Sequence, residues 1–378
     1  MGVNDGTNSI TSNDLDWAMV GLSCKNKMTS LANILRARIA SHGPMNVADY
    51  MAECLMHPKF GYYTTQSAIG ALGDFITAPE ISQMFGEMIA LSVGQAWQAQ
   101  GSPEEAILVE LGPGKGTLMQ DFRRASKAFL GFDKLPIHFV EISPRMRNLQ
   151  TTAIENITHH FDLSSLPNVP IFLIANEFFD ALPIRQFYRT ETAWEERLIG
   201  ENQNGLYFGR AAPQQFDFLK RRLADTKADD IVEYCPALPS IIEQVSFRIF
   251  THGGAALIFD YGNWRSNGDT FQAISSHQVA NPLASPGKSD ITAHVDFEAI
   301  FDATLPACAS RLTPQGVFLE RLGIAHRARN LAQKLSGNSL DSHIKAHRRL
   351  THPDEMGNLF KVMGIAPNSD LLPFGVDY

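Results

Sequence analysis

Glu110-Leu111-Gly112-Pro113-Gly114-Lys115-Gly116-Thr117 decides how this chain is read. The segment follows the apolar run Ala106–Leu111 and precedes Leu118, Phe122, Ala125 and Phe129, which recur at helical spacing. Strand, glycine turn, helix is the setting of a nucleotide-binding loop. A phosphate loop needs Ser or Thr directly after Lys115, where Gly116 stands. A dinucleotide loop needs its third glycine at position 117, which is Thr. The spacing is G-x-G-x-G, with Glu110 two residues ahead of the first glycine. Glu110 at the strand end repels a pyrophosphate and favours a cation. S-adenosylmethionine, with an ammonium, a sulfonium and no phosphate, meets that demand. Gly112, Gly114 and Gly116 let the backbone come close to it. The competing reading is a plain tight turn.

Two further segments join the loop. Ile137–Ile142 reads as a second strand with Glu141 near its end, 25 positions after Gly116. An acid at that distance can take both ribose hydroxyls. Alternatively, Glu141 pairs with Arg145 or Arg147. Asp162 can flank the adenine, or be an exposed loop acid. Ile171–Ala175 reads as a third strand, and strands alternating with helices imply a mostly parallel sheet. Asn176-Glu177-Phe178-Phe179-Asp180-Ala181-Leu182-Pro183 leaves that strand on the same side. Glu177 and Asp180 are candidate substrate-orienting acids, because carboxylates can grip a guanidinium in a fork. They can equally be structural, Asp180 as a cap. Asp290, His294 and Asp296 form a weaker group, readable as a general base or as capping at a helix start. His159 and His160 are adjacent, which does not suit metal ligation from one face.

Around this centre, Leu31–Ile39 and Asn46–Met56 read as helices and 61–74 as a loop. Thr77-Ala78-Pro79-Glu80 has capping-box spacing ahead of a helix running towards Trp97. Ile184–Thr190, Trp194–Ile199 and Leu206–Arg210 read as an inserted antiparallel piece. Ala237–Thr251 reads as a helix and Ala255–Tyr261 as a buried strand. The stretch 263–292 reads as an ordered loop or lid, and Phe297–Thr304, His326–Leu335 and His352–Phe360 as helices or helix starts.

Composition sets the frame. The 378 residues are 44% hydrophobic and 19% charged, with net charge −8. These are ordinary globular values and disfavour nucleic acid as a partner. No apolar run approaches the roughly 20 residues a spanning helix needs, so stable membrane insertion is not expected. Cys24, Cys54, Cys235 and Cys308 form no C-x-x-C pair, which suits a reducing compartment. The first 30 residues have no apolar signal region and are a poor match to a transit peptide. A cytoplasmic, bacterial enzyme is the simplest expectation.

The chain resembles the MidA-like S-adenosylmethionine-dependent methyltransferases, a family that includes a mitochondrial complex I assembly-factor arginine methyltransferase. The resemblance rests on His57–Tyr63, Gly73–Glu80, the glycine loop, Asn176–Pro183, Asp260-Tyr261-Gly262, Asp290–Phe297 and Met356–Val362. It implies an α/β class I (Rossmann-like) fold with a helical N-terminal extension and an inserted β segment. Residues 1–28 would be a flexible tail and 29–100 the extension closing over the cofactor. The methyltransferase domain would be 101–378, with insertions at 184–236 and 263–292. Gly112, Gly114 and Glu141 take cofactor roles, and Gly73–Thr77, including Asp74 and Thr77, would close over it. The implied reaction is symmetric dimethylation of arginine in a protein, such as a complex I core subunit, in the mitochondrial matrix if the source is eukaryotic. A small-molecule methyltransferase and a non-catalytic S-adenosylmethionine-binding assembly factor are the rival readings. The oligomeric state is open, a dimer included.

Overall fold

The computed structural model describes residues 30–65, 77–275 and 278–378. Expectations for the tail 1–28 and for Gly73–Ile76, Asp74 among them, lie outside the described residues. The elements, in order, are α1 (Leu31–His42), α2 (Val47–Met56), α3 (Gln83–Ala99), β1 (Ile107–Leu111) and α4 (Thr117–Ser126). Next come β2 (Ile137–Val140), α5 (Pro144–Ala153), β3 (Ile157–His160) and β4 (Ile171–Asn176). β5 (Arg185–Arg189), β6 (Trp194–Asn202), β7 (Gly205–Arg210) and β8 (Ile231–Tyr234) follow. α6 (Leu238–His252), β9 (Gly254–Asn263), α7 (Phe297–Asp302) and, near the end, β10 (Phe360–Ala366) complete the frame.

The central sheet runs β10-β9-β4-β1-β2-β3. β9 through β3 are parallel, and β10 is antiparallel to β9. Every residue of β1, β2 and β4 is buried, because helices cover both faces. Leu108, Phe172, Ile174, Leu257 and Phe259 pack on one side with Phe85 and Ile89 of α3. Val109, Leu173, Ala175 and Ile258 pack on the other with Ile242, Val245 and Ile249 of α6. The strand order reverses beside β1, so a crevice opens at the carboxyl ends of β1 and β4.

β5–β8 form the inserted antiparallel sheet, and Met45–Asn46 add to its edge beside Ile199 and Leu198. α1 and α2 bury Leu35, Tyr50 and Met51 against Ile199, Ala273 and Ile291. The N-terminal helices therefore bind both insertions into one body. The 263–292 region is more regular than expected. It contains a three-stranded antiparallel sheet, Gln272–Ser275, Gln278–Ala280 and Asp290–Thr292, whose apolar side joins that core. One other expectation changes. In place of a helix over His352–Phe360, only Met356–Leu359 is helical, and the chain then enters β10. A further helix, Gly337–Thr351, buries only Leu350, so its apolar signal is faint.

Phe259 is fully buried, with its ring 5.3 Å from both Phe85 and Phe318. Phe259→Ala is expected to cost about 3–5 kcal/mol of stability through the cavity it leaves. Urea unfolding followed by tryptophan fluorescence measures this; a loss below 1 kcal/mol would show that the two layers repack freely.

Candidate functional site

At the crevice the glycine loop turns sharply. Gly112, Gly114 and Gly116 have φ of +59°, +53° and +81°. A Cβ on Gly112 would also lie 2.9 Å from Phe178 Cδ2, so position 112 excludes a side chain on two counts. Two adjoining cavities meet here, of about 290 Å³ and about 60 Å³. They share Thr77, Gly112, Gly114 and Glu177. Gly116 lines neither. It caps the start of α4, facing Ile154 and Phe139.

The small cavity is edged by Glu110 and Asn176. Glu110 Oε2 and Asn176 Oδ1 are buried acceptors with no hydrogen-bond partner among the described residues. Burial pushes the Glu110 carboxyl up to about 8. Two unpartnered acceptors over a floor without side chains fit an ammonium, which has only donors. Glu141 lines the large cavity and not the small one. Glu141 Oε1 accepts from Ser143 N at 2.7 Å and Oε2 from Gln150 Nε2 at 3.3 Å. Burial raises its pKa against these bonds. Neither arginine pairs with the carboxylate. Arg147 donates to the carbonyls of Glu141 and His160, and Arg145 to that of Thr65. Glu141 lines the cavity, and a carboxylate has more acceptor sites than these bonds use, so a diol can be held there. The residues present fit S-adenosylmethionine at both of its polar ends.

Asp162 stands apart. It is exposed, and its carboxylate bonds Ser164 N and Oγ, capping the turn 163–165. Thr77 sits at an N-cap, but its side chain makes no capping bond. Glu80 accepts instead from Thr117 Oγ1 at 2.8 Å, and Ser82 starts α3 separately. The capping role falls to Glu177, whose Oε1 accepts from Ala78 N at 3.2 Å. Asn176 Nδ2 donates to the same oxygen at 3.2 Å. Glu177 has φ +51°, a strained conformation for a residue with a side chain.

Asp180 is buried with Oδ1 unpartnered. Its carboxyl is pushed up to about 7 by burial first and by Glu177 second. Glu177 likewise reaches about 7, chiefly by burial. The Tyr261 hydroxyl lies beside Asp180 and partly offsets the rise there, with Thr292 next to it in turn. Asp260 holds the segment in place. Its Oδ2 accepts from Phe179 N at 3.0 Å and Asp180 N at 3.3 Å, and its Oδ1 from Tyr261 N at 3.0 Å. Tyr63 donates to Asp290 Oδ1 at 2.9 Å on the cavity wall. Asp290, His294 and Asp296 separate in space. Asp290 lines the cavity, His294 packs on Tyr261, and Asp296 caps α7. Local pattern gives no sign of Tyr63 or Tyr261, because their partners come from distant segments.

Known proteins similar to this chain bear on the cofactor. Residues 88–314 match the family model described as "Putative S-adenosyl-L-methionine-dependent methyltransferase". The chain is 34% identical to protein arginine methyltransferase NDUFAF7, mitochondrial, of Xenopus laevis over 381 residues, covering 90% of this chain and 85% of that one. The human protein of the same name is 32% identical over 388 residues, with 92% and 86% covered. A Burkholderia thailandensis structure bound to S-adenosyl-homocysteine superposes with TM-score 0.74 at 28% identity, covering 92% of each chain.

The raised pKa of Glu110 has a consequence for folding. The folded state holds this proton up to about pH 8, whereas the unfolded chain releases it near 4.5. Stability therefore falls as pH rises between those values. Glu110→Gln should raise the melting temperature of the ligand-free protein, with a gain that widens from pH 4.5 to 8 and then levels. Differential scanning fluorimetry across pH measures it, and a pH-independent gain would rule out titration of Glu110.

Proposed function

We propose, from the premise that this chain belongs to the S-adenosyl-L-methionine-dependent methyltransferase family, that it methylates arginine in a protein substrate. The observation that carries the reading is Asp180, buried beside Glu177, with Oδ1 lacking a hydrogen-bond partner among the described residues, in a cavity that Glu177, Asp290 and Glu141 also line. A guanidinium brings five N–H donors and a fixed charge, and Asp180 Oδ1 can accept from it. On this reading Glu110 and Asn176 take the ammonium of the methyl donor, Gly112 and Gly114 form its floor, and Glu141 takes its ribose.

The bound donor supplies an electrophilic sulfonium methyl, so that one N–C bond forms as one S–C bond breaks and a proton leaves the guanidinium nitrogen. Glu177 is held by Ala78 N and Asn176 and has one oxygen left to orient the guanidinium. Asp180 has the freer carboxylate, and a pKa near 7 suits it to accept the departing proton. Glu177→Gln and Asp180→Asn are expected to lower kcat by at least about 100-fold while leaving S-adenosyl-homocysteine affinity within threefold, as measured by calorimetry. Full turnover in both would remove them from the reaction. Gly112→Val, by contrast, should abolish cofactor binding in a folded protein.

The pH dependence follows in sign. Both acids must be ionised to receive the cation, so kcat/KM for the protein substrate should fall as pH drops below about 7. The bound guanidinium favours ionisation, so the fall in kcat should come at lower pH. Because the acids interact, the profile reports the pair. A profile flat from pH 6 to 8 would argue against this pair.

The curated relatives are named as mitochondrial arginine methyltransferases. Those names support arginine in a protein as the acceptor and, where the cell is eukaryotic, a mitochondrial location; a complex I core subunit as the substrate follows from the family resemblance. Among the described residues no helix is long and apolar enough to cross a membrane. Mass spectrometry of complex I core subunits from cells with and without the protein tests the substrate. Loss of a methylarginine is expected; unchanged subunits, with methyl label recovered on a small metabolite, would replace this reading.

A further inference from the structure

Gln150 is fully buried on α5, a helix whose buried positions are otherwise limited to Met146. Its Nε2 donates to the carbonyl of Gly114 at 2.7 Å and to Glu141 Oε2 at 3.3 Å. Its Oε1 lies 2.8 Å from His159 Nε2. The orientation of this amide is settled by its partners. A carbonyl and a carboxylate both accept, so the NH2 group must face them. Oε1 is then left to face His159, which must donate from Nε2. The chain of donors runs from His159 through Gln150 to the glycine loop and to the acid at the end of β2. One side chain thus ties together the two loops that flank the large cavity. It also gives a role to His159, whose neighbour His160 bonds instead to His138 at 2.8 Å.

We propose that Gln150 is a positioning residue for the methyl donor, fixing the separation and direction of the Gly114 backbone and the Glu141 carboxylate, and that His159 sets the amide that does so. The proposal rests on the cofactor roles given above to Gly114 and Glu141. Gln150 touches neither reactant. It acts by holding Glu141 Oε2 from the protein side, so that the remaining lone pairs point into the cavity. Without it, Glu141 keeps only its bonds to the adjoining backbone and can swing away.

The test uses the full chain, S-adenosyl-homocysteine for calorimetry, and S-adenosylmethionine with an arginine-containing protein substrate for kinetics. Gln150→Leu is expected to weaken S-adenosyl-homocysteine about 10- to 100-fold and to raise KM for S-adenosylmethionine alike. kcat at saturating donor and KM for the protein should stay within threefold. Gln150→Glu should bind worse at pH 8 than at pH 6, relative to wild type. An ionised glutamate opposes both Glu141 and the Gly114 carbonyl, and protonation restores one donor. This contrast is made within a single variant and needs no comparison of folds. His159→Gln, which keeps an N–H donor, should recover most of the affinity that His159→Leu loses. The proposal is overturned by Gln150→Leu binding within twofold of wild type, by a pH-independent deficit in Gln150→Glu, or by a loss confined to kcat. Failure of the wild-type protein itself to bind S-adenosyl-homocysteine would instead remove the cofactor roles on which it rests.

Discussion

The site depends on one fully buried carboxylate. Asp260, fully buried at the end of β9, accepts hydrogen bonds from the amides of Phe179, Asp180 and Tyr261. Those bonds turn the segment after β4 back over the sheet edge. The amide of Glu177, bonded to the Phe259 carbonyl, starts the same turn from the neighbouring strand register. A segment bound by its backbone leaves its side chains free. Asp180 can therefore present an unpartnered oxygen in the interior, where a carboxylate would otherwise find a donor. The positive φ of Glu177 belongs to the same constraint. Its backbone is forced into a sparse region so that its side chain reaches the start of the helix at Ala78.

Much of this framework was legible in the sequence, and the reason is burial. β1, β2 and β4 lie between two helical layers, so they read as unbroken apolar runs, and the glycine loop follows the first of them. Glu110, Glu141, Glu177 and Asp180 could be found because each sits at or just beyond a strand's carboxyl end. The features that escaped lack such a signal. β3 is the sheet edge and carries Thr158, His159 and His160, so it shows no apolar run. β10 follows a short helical turn and has Lys361 and Gly364 within it, which obscures its type. The capping-box pattern at Thr77–Glu80 matched in spacing only, because Thr117 and Glu177 compete for the same groups. Tyr63 reaches Asp290 across 227 positions, a contact that only the fold creates.

The electrostatics explain why such an arrangement persists despite its cost. Glu110, Glu177 and Asp180 all carry pKa values raised by burial, so each withdraws stability as it ionises. Among the described residues none of the three has a salt bridge that would offset this. Elsewhere the chain pairs a buried acid without difficulty, as Glu87 does with Arg124 and Arg327. The contrast separates two kinds of acid within one fold. Glu87 joins α3 to its neighbours and is neutralised from within. The crevice acids are left for cations that arrive from solution.

That division also sets what the crevice refuses. A phosphate brought to the glycine loop would meet Glu110 and Glu177, and among the described residues no Lys or Arg side chain lines the large cavity. Lys115 borders only the small one. The loop geometry alone, three successive glycines in the left-handed region at a helix start, is of a kind that elsewhere cradles anions. Here the acids override it. The backbone provides close approach, and the carboxylates decide the sign of the guest. Specificity for a cationic nucleoside therefore comes less from the glycine pattern than from what stands at its edges, which is why position 110 carries as much of the reading as the glycines that follow it.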